Sequence, residues 1–67
     1  MIRIRLNGAE REVASGTTVA DLLRALDMPD VGVAVAVERR VVPRSAHAEQ
    51  VLEEGDEVEV IRAVGGG

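Results

Sequence analysis

Gly65, Gly66 and Gly67 close this sequence. With the α-carboxylate borne by the last of them, they form the group best suited to chemistry. Three glycines bring no Cβ atom, no charge and no packing surface, and they lose more backbone freedom on ordering than any other tripeptide. Such a segment adds nothing to a fold. It suits a backbone whose terminal carboxylate must thread a narrow channel in another protein. The bland alternative is a frayed end or an appended linker, since chain termini tolerate both.

Other reactive groupings are thinner. His47 is the one histidine, and with Ser15, Ser45 and many acids it leaves a Ser-His-Asp arrangement open on composition alone. A chain of 67 residues has no room for a triad and an oxyanion hole inside a closed pocket. The absence of cysteine excludes disulfides, thiolate ligands and a cysteine nucleophile. One histidine among carboxylates without calcium-loop spacing does not make a metal site. All eight cationic residues are arginine, so Schiff-base chemistry is excluded too.

Twelve Asp and Glu against those eight arginines give a net charge of −4 with no aromatic residue. That makes a poor nucleic-acid binder, because phosphate binding needs a basic surface and single strands need stacking platforms. The opening Met1-Ile2-Arg3-Ile4-Arg5-Leu6 has no apolar leader, and no apolar run is long enough to cross a bilayer. A soluble, cytoplasmic protein is the expectation. Glu53, Glu54, Asp56, Glu57 and Glu59 read as a solvated turn and an exposed strand face. Arg39, Arg40 and Arg44 read as residues solvating a hairpin.

The elements that must position the tail follow from periodicity. Ile2, Ile4 and Leu6 alternate with Arg3 and Arg5, as in a half-buried strand. Asn7-Gly8 is the strongest short hairpin signal, so a second strand from about Glu10 to Val13 returns antiparallel. Thr17 or Thr18 can cap a helix, with Asp21 as capping-box partner of Thr18. Val19, Leu22, Leu23 and Leu26 then give one apolar face, and Asp27-Met28-Pro29 ends the helix. Val31 to Val37 reads as a buried strand. Glu38-Arg39-Arg40 turns it into a short return strand, Val41-Val42, stopped by Pro43. Ser45 to Gln50 makes one irregular helical turn, and Glu57 to Arg62 alternates again with Val58 and Val60 inward. This order predicts an α+β fold of the β-grasp (ubiquitin-like) kind. A mixed four- to five-stranded sheet carries one main helix across one face, with the first and last strands parallel. Residues 1–63 form the domain and 64–67 a flexible functional tail.

Five stretches carry a resemblance across nearly the whole chain: Ile4 to Gly8, Thr18 to Leu23, Gly32 to Val37, Val41-Val42-Pro43-Arg44 and Glu54 to Val60, completed by the terminal glycines. In these the chain resembles the thiamine-biosynthesis sulfur carriers, the ThiS family. The Val-Val-Pro-Arg segment and the glycine pair are the more specific pieces. An aromatic residue often follows Pro-Arg in that family, whereas Ala46-His47-Ala48 stands here, and Gly65 adds a third glycine.

The resemblance implies a protein cosubstrate, not an enzyme. Gly67 would be adenylated by an E1-like, ThiF-like adenylyltransferase that uses ATP. A cysteine-derived sulfur donor would convert it to a thiocarboxylate, and a ThiG-like thiazole synthase would receive the sulfur. Gly66, Gly65 and Val64 would thread into the partner sites. The chain itself would bind no cofactor and would be a monomer when free. Two other readings stay open: the small subunit of molybdopterin synthase, whose chains are usually longer and rich in Phe near the tail, and a ubiquitin-like modifier or interaction domain joined through its glycines.

Overall fold

The computed structural model describes residues 1–29 and 32–62. Five strands, β1 (Ile2–Leu6), β2 (Ala9–Val13), β3 (Val33–Val37), β4 (Arg40–Val42) and β5 (Glu57–Arg62), surround one helix, α1 (Val19–Ala25). They form a single sheet in the order β2-β1-β5-β3-β4. β5 is central, parallel to β1 and antiparallel to β3. Both hairpins, β1–β2 and β3–β4, are antiparallel and lie outside it.

Alternation decides which side chains meet the helix. Ile4 of β1, Val35 and Val37 of β3, Val42 of β4, and Val58 and Val60 of β5 point to one face and are buried there with Val19, Leu22 and Leu23 of α1 and with Leu52. With no Phe, Tyr or Trp available, the apolar part of this core is aliphatic throughout. β3 departs from expectation. Val31 lies outside the described residues, and the strand runs from Val33 with Ala34 exposed and Ala36 only half-buried. One helix covers one face only, so the small alanines line the other side of a strand whose composition suggested burial on both.

α1 starts as its sequence dictates. Asp21 N–H donates to Thr18 Oγ1 (3.1 Å), and Thr18 N–H donates back to Asp21 Oδ2 (3.2 Å), which closes the capping box. The remaining orphan donors of the first turn go to the segment between β4 and β5: Val19 N–H to Gln50 O and Ala20 N–H to His47 O, both 2.9 Å. The helix stops at Ala25, slightly before the Asp27-Met28-Pro29 break. Asp27 turns the chain at φ 58°. Its N–H reaches Arg24 O while Met28 N–H reaches Leu23 O, a Schellman closure with aspartate in the glycine position.

After β4, Pro43 leads into a 3₁₀ turn, Arg44–Ala46. Val51 bridges to Thr18. Leu52 N–H bonds Thr17 O at 2.8 Å, which drops the Leu52 side chain into the core.

Candidate functional site

The residues singled out for chemistry, Val64, Gly65, Gly66 and Gly67, lie outside the described residues, as does Ala63. What the structure describes is the strand that leads to them. β5 ends at Arg62, paired with Val33, and is flanked on both sides along its first half. Glu57, Glu59 and Ile61 face away from the helix. On that face Ile61 lies beside Ala34, and Ala36 lies between Glu59 and Val41. Ile61 and Val41 are 59% and 75% exposed, an apolar strip on the β5-β3-β4 half of the outer face. The β1-β2 half is charged instead, with Arg3 opposite Glu12 and Arg5 opposite Glu10.

Two turn side chains grip β5. Glu38 Oε2 accepts from Glu57 N–H at 2.7 Å, while Glu38 N–H donates to Glu57 O at 2.8 Å. Farther along, Asn7 Oδ1 accepts from Val60 N–H at 2.9 Å, and Asn7 Nδ2 donates to Val60 O at 3.4 Å. Sequence reasoning sees Asn7 and Glu38 only as turn residues. The Asn-Gly signal marks a bend but carries no information about a partner 53 positions away.

His47 is a core residue. It is 3% exposed, with Nε2 3.1 Å from Val42 O, and Nδ1 has no hydrogen-bond partner. Ser15 and Ser45 are exposed. The imidazole thus fills a buried position three residues after Arg44. The acidic run is more ordered than a merely solvated turn: Glu54 Oε1 accepts from Arg3 N–H at 3.1 Å, and Asp56 Oδ2 from Glu53 N–H at 2.9 Å. Among the described residues no group of three or more His, Asp or Glu could hold a metal ion. No helix in the described residues is long and apolar enough to cross a membrane.

Comparison with known proteins extends past the described residues. The ThiS family model matches residues 4–67, glycines included. The sulfur carrier protein ThiS of Escherichia coli K12 is 32% identical over 66 residues, covering 98% of this chain and 100% of that protein. A thiazole synthase of Magnetococcus marinus is 38% identical over 66 residues, which span only 20% of its length. The crystal structure of a thiamine biosynthesis protein (ThiS) from Geobacter metallireducens superposes with a TM-score of 0.83 at 30% identity, covering 98% of this chain and all of that one. Five strands in this order around one helix, and a family match running into the terminal glycines, agree on one assignment: the chain belongs to the ThiS family.

Proposed function

We propose that the protein is a sulfur carrier acting in the cytoplasm, a cosubstrate whose Gly67 carboxylate is the reacting group. One carboxylate oxygen attacks the α-phosphorus of ATP on an E1-like adenylyltransferase and expels pyrophosphate, leaving an acyl-adenylate. The outer sulfur of a cysteine persulfide then attacks the acyl carbon, and AMP departs with the oxygen. A second thiol attacks the inner sulfur of the acyl persulfide. It forms a disulfide with the donor cysteine and releases the thiocarboxylate. That anion is a softer nucleophile than the carboxylate and carries sulfur to a thiazole synthase.

The observation that carries this reading is the match to a sulfur carrier over 98% of the chain, together with a family match that continues through Gly66 and Gly67. The segments matched within two thiazole synthases favour thiazole formation over the molybdopterin branch. Val64, Gly65 and Gly66 serve as the threading segment, because a side chain at residue 66 or 67 would meet the wall of a channel built for bare backbone.

Mass spectrometry tests it. Incubation with a ThiF-like enzyme, ATP and a persulfide donor is expected to give the mass gain of one sulfur-for-oxygen exchange at Gly67. Deleting Gly67 is expected to abolish that gain without moving the melting temperature. A truncated chain thiolated at its new end would overturn the assignment of Gly67.

A further inference from the structure

We propose that Asn7 is a positioning residue that sets the line along which β5 delivers the tail, an inference that rests on the carrier reading above. β1 and β5 are in parallel register only at Arg5–Glu57 and Leu6–Val58. Arg5 N–H donates to Asp56 O and Asn7 N–H to Val58 O, both at 2.9 Å. In a continuing parallel ladder, Val60 N–H would next donate to the backbone carbonyl of residue 7, and Val60 O would accept from the N–H of residue 9. The chain cannot supply either group, because Asn7 and Gly8 adopt φ of 51° and 85° and turn into β2.

The Asn7 side-chain amide takes both places. Its Oδ1 receives Val60 N–H, and its Nδ2 reaches Val60 O. A carboxamide has the donor, acceptor and planarity of a peptide group, so it acts as one more peptide unit of β1. Beyond it, Ile61 and Arg62 have register partners in β3 alone. Among the described residues the amide is therefore the last tie on the β1 side of β5. Asparagine is suited to the double duty: it tolerates the left-handed turn conformation and is short enough to fold back on the neighbouring strand. Holding the end of β5 in one direction lowers the ordering cost of docking, so that direction bears on how readily the tail meets its channel.

The test compares Asn7→Gly, Asn7→Asp and Thr18→Ala with the unaltered chain. Glycine keeps the turn and removes the amide. Aspartate keeps the acceptor for Val60 N–H and loses the donor. Thr18→Ala removes the capping box of α1 and controls for a general loss of stability. Asn7→Gly is expected to speed exchange of the Val60 amide relative to that of Glu59. It is also expected to lower kcat/KM for thiolation about tenfold, with the loss in KM for the carrier and kcat retained at saturation. Asn7→Asp should fall between, and Thr18→Ala should match the unaltered chain in both readouts. Equal thiolation kinetics for Asn7→Gly and Thr18→Ala, or unchanged protection of Val60 in Asn7→Gly, would overturn the positioning role. An unaltered chain that takes no sulfur would instead overturn the carrier reading itself, and the role of Asn7 in this reaction with it.

Discussion

The two hairpins reach the same turn geometry by different routes. In β1–β2, Asn7 and Gly8 stand at φ 51° and 85°; in β3–β4, Glu38 and Arg39 stand at 52° and 68°. The first pair adopts positive φ at little cost. The second does not, and its turn is imposed by what lies behind it: β3 and β4 bury Val35, Val37 and Val42, and Glu38 is tied to both polar groups of the Glu57 backbone. β2 is exposed along Ala9 to Glu12, with only Val13 half-buried. β2 is thus specified by the turn that joins it to β1, whereas both strands of the second hairpin are held by packing.

The layer both hairpins share lies beneath them, so the largest effect is expected there. Leu23 is 2% exposed on the α1 face that covers the sheet. Leu23→Ala should cost about 2–5 kcal/mol through lost burial and a residual cavity. Denaturant unfolding measures it, and an unshifted midpoint would show that the helix does not hold the two hairpins together. Next comes the contrast itself. Val35→Ala, in the packed hairpin, removes two carbons from a fully buried site and should cost about 2 kcal/mol. Val13→Ala, on the exposed strand β2, should cost less than about 1 kcal/mol. Equal losses would erase the distinction.

The smallest effects belong to the turns. No atom lies within 4 Å of a Cβ built on Gly8. Gly8→Ala should therefore cost only the left-handed backbone penalty, about 1 kcal/mol. Arg39→Gly, which relieves the same penalty against the chain entropy of glycine, should gain about 0.5 kcal/mol. A destabilised Arg39→Gly would mean that the arginine side chain, and not packing of the strands, sets that turn.

The same division explains what could be read from the sequence. The Asn7-Gly8 bend, the Thr18–Asp21 capping box and the inward Val58 and Val60 were legible, because each follows from local chemistry or a short-range period; the parallel pairing of first and last strands followed instead from the order of elements and the fold that order fits. The positive φ of Glu38 and Arg39 was not, since neither residue type favours it. The open outer face of β3 was hidden by a Val-Ala composition that fits one-sided and two-sided burial alike. Of the candidate site, residue types alone pointed to Gly66 and Gly67. The Asn7–Val60 bonds join residues far apart in the chain and follow from no local pattern.

The burial of His47 has a practical side. With no Phe, Tyr or Trp, the chain offers no ultraviolet band near 280 nm and no fluorescence by which to follow its folding. Its one histidine, His47, sits where β4, the 3₁₀ turn and the first turn of α1 meet: the ring is bonded through Nε2 to Val42 O, and the backbone carbonyl accepts from Ala20 N–H. The ring protons of that residue are consequently the only aromatic resonances of the domain. Once the exchangeable N–H protons have been replaced in D2O they stand alone, and they sit at the joint between sheet and helix, so a single pair of lines reports whether that joint is closed.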